Sequence, residues 1–301
     1  MLIILQLILF IVTAPFLSGM ISKIKNNIRM RKGQSIFQPY YNLVKLFSKS
    51  EVVSETASWI FKVTPFVVFS SMLVSVVLIP VFKGAIYQMG DFLALIFIFS
   101  LGRFFLTLSA LDTGSSFGGM GASREMFVSS LAEPAFCMAV FALSIQFGST
   151  HISAFSGMHA IPVSSIVAAL TLFLVTIAET SRIPVDNQET HLELTMVHEA
   201  MVLEYSGRSL ALIEMASYLK QMILFFLIAQ IIFPVAFTAA LNFSQMLLWI
   251  FWYCLRIVII AVTVALVEVS VAKMRLFRVA DFLGLAFVLG VIASVCAISG
   301  V

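Results

Sequence analysis

Apolar runs about twenty residues long, separated by short polar stretches, dominate this chain. They fall at about 1–22, 60–82, 90–111, 126–147, 161–180, 219–241, 245–271 and 279–299. At the helical rise of about 1.5 Å per residue, each is long enough to cross a hydrocarbon core of about 30 Å. The pattern predicts an all-α integral membrane protein of about eight transmembrane helices, forming one membrane domain over residues 1–301. Pro15 interrupts the first run. A tilt or kink is expected there, because neighbouring helices can satisfy a freed carbonyl. Charges follow this run instead of preceding it and further spans come later, so it reads as a retained helix and not a signal peptide. No internal repeat is visible, which weighs against an inverted-repeat transporter.

Composition agrees. Hydrophobic residues make up 61% and charged residues 11%, where a soluble domain carries roughly a quarter charged. Mean hydropathy is +1.07. There is no glycine-rich phosphate loop and no basic nucleic-acid patch. Cys137, Cys254 and Cys296 are scattered through apolar runs. They offer no Cys-x-x-Cys pair, so no metal or iron–sulfur cluster is expected on this chain.

The positions of the charges change the picture more than their sum. Eight Lys or Arg lie between the first two spans (Lys23 to Lys62), Arg124 follows the third, Arg182, Arg208 and Lys220 follow the fifth, and Lys273, Arg275 and Arg278 follow the seventh. Fifteen of the 18 basic residues thus fall on one side; only Lys83 falls on the other, with Arg103 and Arg256 inside spans. The positive-inside rule assigns that side to the cytoplasm and both termini to the outside.

Two long cytoplasmic connections are expected, 23–59 and 181–218. In the first, Ile36, Tyr40, Leu43, Val44 and Phe47 recur at helical spacing, predicting an amphipathic helix on the membrane surface. It is read as a plain anchor or as a docking surface, and the two are compatible. The second contains Asp186, Glu189, Glu193, Glu199 and Glu204, with His191 and His198 interleaved. Glu189 and Glu193 share a face if helical. Crowded carboxylates raise one another's pKa and suit proton exchange; a solvated acidic face is the plainer alternative. No His-Glu-x-x-His occurs, so no metal site is expected.

Within or at the edge of spans lie Arg103, Glu133, Glu179, Arg256 and Glu268. Each costs about 2.5–3.5 kcal/mol if central, and such groups usually mark ion or proton routes. Snorkelling to the interface is the simpler account of Glu179 and Glu268. Arg256, midway along its run, calls for an acidic partner or water. The segment Leu111–Glu125 is glycine-dense and reads as a tightly packed loop.

Three segments together resemble the core membrane subunit of respiratory complex I and its relatives in energy-converting [NiFe] hydrogenases. The first comprises Glu179, Thr180, Arg182, Pro184 and Asp186, then Glu189, Glu193 and Glu204–Gly207. The second is Arg124, nine residues ahead of Glu133. The third is Gln38 and Pro39 with Lys45 and Leu46. Departures from complex I are His191 in place of a carboxylate, Asn42 in place of an Asp, and a longer stretch before Glu204. The runs Leu111–Glu125 and Gly148–Ile152 look instead like hydrogenase-4 component C and formate hydrogenlyase subunit 4, favouring the hydrogenase branch.

The resemblance implies a non-catalytic subunit in a bacterial inner membrane. Its partners would be hydrogenase-like large and small subunits and iron–sulfur proteins on the cytoplasmic side, carrying the nickel–iron centre and the clusters, with antiporter-like subunits in the membrane. Glu133, Glu179, Asp186, Glu189, Glu193, Glu199, Glu204 and Glu268 would relay protons, balanced by Arg103, Arg124, Arg182 and Arg256. Gln38, Pro39 and Lys45 would serve docking. Alternatives are a quinone-site subunit of complex I and, more distantly, a secondary ion transporter or a structural anchor.

Overall fold

In lipid the backbone must bond to itself, so apolar runs fold as helices and those helices pack into a bundle. The computed structural model describes residues 2–81, 90–157, 162–186, 196–234 and 243–300. Its helices are α1 (Leu2–Ile28), α2 (Gln38–Ser48), α3 (Trp59–Leu78), α4 (Phe92–Asp112), α5 (Ser116–Phe147), α6 (Val163–Glu179), α7 (His198–Val202), α8 (Gly207–Ile232), α9 (Phe243–Ser270) and α10 (Leu276–Ser299). Seven are long and apolar enough to cross a membrane, and α6 is an eighth, shorter apolar helix. The architecture is the expected all-α membrane fold of about eight spans. Here α8 is the central column, its apolar window 78% buried, with α1, α2, α3, α6 and α9 packed around it. Helices α5, α6 and α10 form a second layer, joined to the first through α4.

Local signals explain the boundaries. The Ser58 hydroxyl caps α3 by accepting from the Ile60 amide at 3.2 Å, and the Ser58 amide donates to Asp112 at 2.8 Å, tying the start of α3 to the end of α4. Asp91 caps α4 and Ser115 caps α5. Three boundaries differ from expectation. Helix α1 runs on to Ile28 because Lys25, read as part of a loop, is buried against Glu268. The glycine-dense segment is mostly helix: α5 starts at Ser116, and a Cβ on Gly121 would stand 2.9 Å from the Ala200 Cβ, so the missing side chain lets α7 close onto α5. Helix α8 starts at Gly207, twelve residues earlier than the hydropathy suggests.

α2 is the amphipathic helix that its spacing predicts. Leu43 is buried, whereas Tyr41, Val44 and Phe47 are exposed. It is pinned at Gly19 of α1, where a Cβ would meet the Ile36 carbonyl oxygen at 1.9 Å.

α6 is the feature that positions the site. Its 17 residues span about 26 Å, less than the hydrocarbon core. The chain then continues without regular structure through Thr180–Asp186, with Ser181, Ile183, Val185 and Asp186 buried. Irregular backbone at membrane depth is tolerated only inside protein or along a wet cavity. Here amides fold back onto the helix end, Ser181 N to Ala178 O at 3.1 Å and Arg182 N to Ile177 O at 3.0 Å.

Candidate functional site: a buried chain of ion pairs

Arg103 lies on α4 nine residues before Asp112, about 14 Å into the bundle from that end. It is buried and faces three carboxylates. Its Nη1 donates to Glu133 of α5 at 2.9 Å, its Nη2 donates to Glu179 at the end of α6, and its Nε lies 3.7 Å from Glu125 of α5. The Ser100 hydroxyl also donates to Glu133, at 2.8 Å. Glu179 takes a second cation, Lys220 of α8, at 2.5 Å. Two cations suit the end of α6, where the aligned peptide dipoles leave partial negative charge.

A second group sits nearer the face that carries most basic residues. Glu268 of α9 is 3% exposed, between Arg182 Nη1 at 2.7 Å and Lys25 Nζ at 3.3 Å. Arg182 Nη2 also donates to the Gln221 side chain at 2.9 Å. Gln221 neighbours Lys220 on α8, so the two groups meet there. A cavity of about 70 Å³ lies between them, lined by Arg103, Glu125, Glu179 and Lys220 on one side and by Arg182 and Gln221 on the other. A second cavity of about 170 Å³ opens from Arg182 and Glu268 towards Gln38, Pro39 and Asn42 of α2. Both share Ser18, Ser181, Arg182 and Tyr218. Two adjoining cavities thus lie between the surface helix and Arg103.

The remaining candidates divide. Asp186 is buried; it accepts from Lys273 at 2.7 Å and from the Val197 and His198 amides, capping α7 and tying it to the α9–α10 connection. Glu199 is half-buried on α7, and Glu204 is exposed. Glu189, Glu193 and His191 lie outside the described residues. Lys45 is exposed on α2. Arg124 donates to the Met196 carbonyl at 2.7 Å. Arg256 meets no carboxylate among the described residues; it donates to Gln230 at 3.0 Å and to the Phe233 carbonyl at 2.8 Å, capping the end of α8. Glu179 and Glu268 do not snorkel, since both are buried in ion pairs.

Sequence reasoning missed Lys25, Lys220, Glu125 and Gln221. Lys25 falls just past the first apolar run and Lys220 at the very edge of the sixth, so both read as charges of the cytoplasmic connections; hydropathy ends α1 too early and starts α8 too late. A usable signal for Lys220 was Ser206-Gly207, a helix start that sets it about 20 Å along α8. Among the described residues, no three His, Cys, Asp or Glu side chains are grouped to hold a metal, and the three cysteines are free.

Fold and site together define a polytopic membrane subunit whose interior carries two adjoining groups of ion pairs. The chain belongs to the NADH dehydrogenase family, whose model matches residues 1–299. It is 31% identical to hydrogenase-4 component C of Escherichia coli (strain K12) over 301 residues, covering 98% of this chain and 95% of that one. It is 30% identical to formate hydrogenlyase subunit 4 of the same organism, covering 90% and 89%. A solved structure of the membrane-bound sulfane sulfur reductase, an archaeal respiratory membrane complex, has the same fold. The TM-score is 0.85 at 16% identity, over 99% of this chain and 100% of that one. Relatives of this kind are components of multi-subunit respiratory or hydrogenase membrane complexes.

Proposed function

We propose that this chain is the membrane-anchoring, proton-coupling subunit of a hydrogenase-4 or formate-hydrogenlyase-type complex, set in a bacterial inner membrane with its basic face in the cytoplasm. It holds no redox centre of its own. A peripheral arm with the nickel–iron centre and iron–sulfur clusters docks over α2 and its cavity, and antiporter-like subunits pack beside it in the membrane. The observation that carries the coupling role is a pair of bonded groups, Glu268–Arg182–Gln221 and Lys220–Glu179–Arg103–Glu133, which adjoin where Lys220 and Gln221 follow each other on α8. The far end of the second group supports a neighbouring subunit: the Glu133 side chain is 39% exposed, and α4 and α5 also leave Phe97, Leu101, Phe104 and Phe141 exposed. A carboxylate at that depth needs a protein or water neighbour. The stronger identity to hydrogenase-named relatives favours that branch.

The quinone alternative draws on the cavity of about 170 Å³ beside α2 and on 26% identity to NADH-quinone oxidoreductase subunit 8 of Rhodothermus marinus. A quinone-analogue inhibitor that stops turnover would favour it. For the coupling role, Glu133→Gln and Glu179→Gln keep the side-chain shape and remove the proton site. Proton translocation per turnover in membrane vesicles should fall about tenfold or more, a smaller effect than the roughly 100- to 10,000-fold usual for an acid–base group in catalysis. Wild-type pumping by assembled variants would make these carboxylates structural.

A further inference from the structure

We infer that Lys220 is a proton-carrying residue, exchanging its proton in step with Glu133 across the fixed Arg103–Glu179 pair. This rests on the coupling role above and assigns a second titrating end to it. Glu179 faces two cations, but they are not equivalent. Arg103 is buried, held by Glu133 as well as Glu179, and a guanidinium does not release its proton in a protein. Lys220 carries an ammonium, the cation of the two whose chemistry allows a proton to leave. It makes one hydrogen bond to Glu179 at 2.5 Å, lies 5.9 Å from the centre of the Phe99 ring, and lines the 70 Å³ cavity.

Charge counting gives the coupling. Arg103 and Lys220 face Glu125, Glu133 and Glu179, one negative charge in excess. Lys25 and Arg182 face Glu268, one positive in excess, so the whole series is neutral when every group is ionised. A proton taken up by Glu133 leaves the series one positive charge over. Releasing a proton from Lys220 Nζ restores neutrality with the Arg103–Glu179 pair unmoved. Reversal takes a proton at Lys220 and frees one at Glu133. The other charged or titratable groups around Lys220 are Arg182 from the α6–α7 connection, His198 from α7 and Tyr218 from its own helix. None of them is a second carboxylate on Lys220.

The cavity supplies an acceptor for the released proton. At the liquid share of about 30 Å³ per molecule it has room for about two waters. Arg182 Nε and Gln221 Nε2 on its walls are buried N–H donors without a hydrogen-bond partner among the described residues. Buried donors demand an acceptor, and water oxygens along that wall would meet both; the proton leaving Lys220 Nζ would pass to this water and, by way of the second cavity beside α2, to bulk water at the basic face.

The test is proton translocation per turnover against pH in vesicles holding the whole complex, with assembly checked on the same samples. Lys220→Arg keeps the charge and removes the exchangeable proton; Lys220→Gln removes both. Each should lower the ratio about tenfold, with a pH profile flattened relative to wild type. A wild-type ratio and profile in Lys220→Arg would overturn the inference, leaving Lys220 a fixed counter-charge. Failure of both variants to assemble would assign it a structural role and overturn it equally. If Glu133→Gln also pumps normally, the coupling reading itself falls; if Glu133→Gln fails and Lys220→Arg pumps, only the Lys220 inference does.

Discussion

Glu268→Gln isolates the value of one buried charge. The carboxylate is 3% exposed and bonds Arg182 at 2.7 Å and Lys25 at 3.3 Å. An amide keeps the volume but leaves two cations facing each other, roughly 6 Å apart if each stays in contact. At an effective dielectric constant near 20, that repulsion alone is about 3 kcal/mol. Measured losses on removing one partner from a buried pair run about 3–5 kcal/mol, and we expect a cost in that range. For a chain of this size it lowers the melting temperature by on the order of 10 °C. The assay is thermal loss of the assembled complex from detergent extracts, followed by size-exclusion chromatography. Glu204→Gln, at an exposed position, is the control and should change stability by less than about 0.5 kcal/mol. Arg182→Lys keeps the charge but loses the two-pronged contact to Glu268 and Gln221, so an intermediate loss is expected. A Glu268→Gln complex melting within about 2 °C of wild type would refute the buried triad.

Three further outcomes follow from the fold. Gly19→Ala drives a methyl into the Ile36 carbonyl; we expect about 1–3 kcal/mol of overpacking and faster trypsin cleavage at Arg31 or Lys32, and unchanged cleavage would count against the close approach. Tyr205 stacks on Phe61 at 4.0 Å and donates to the Phe61 carbonyl at 3.1 Å, so Tyr205→Phe should cost about 1 kcal/mol. Burial pushes its hydroxyl from 10.0 up to about 12; the folded state holds that proton more tightly, so the stability is whole below pH 10 and lost between about pH 10 and 12. The phenylalanine variant should lack that alkaline loss in a pH-dependent melting series. Cysteines placed at Asn42 and His151, both exposed, should label from opposite sides of sealed vesicles, Asn42 from the cytoplasmic side; the reverse would invert the proposed orientation.

Helix number and the amphipathic α2 were legible because a 30 Å apolar slab imposes a length and a surface imposes a period. The site was half legible. Arg103, Glu133, Glu179 and Glu268 stood out as charges in apolar runs, yet their pairing did not. Arg103, Arg124, Arg182 and Arg256 were expected to balance the carboxylates with no partner assigned to any one of them; the fold gives Glu133 and Glu179 to Arg103 and Lys220, and turns Arg182 to Glu268. Pairing depends on where helices begin and end in depth, and hydropathy averages that away. Early α8 residues such as Glu214 and Lys220 lower the local mean, although the helix already runs through them. Glu51 is exposed and also accepts from the Ser209 hydroxyl, because the segment before α3 folds back on the start of α8.

The short α6 has an electrical consequence. Where it stops, charged side chains and a hydratable cavity carry a high-dielectric region from the basic face to Arg103, about 14 Å deep by helix rise. A membrane voltage falls mostly across low-dielectric material. Over this subunit it would drop chiefly across the apolar half beyond Arg103, and little between the basic face and Glu179. A proton moved through the two cavities would then do almost no work against the membrane potential. Nearly all of the roughly 2.3 kcal/mol per 100 mV needed for a full crossing would be met after the charge leaves by Glu133, in whatever subunit lies against that face. On the coupling role proposed above, voltage would act as a brake on the neighbour, and this chain would load that neighbour's protons at nearly constant cost whatever the state of charge of the membrane.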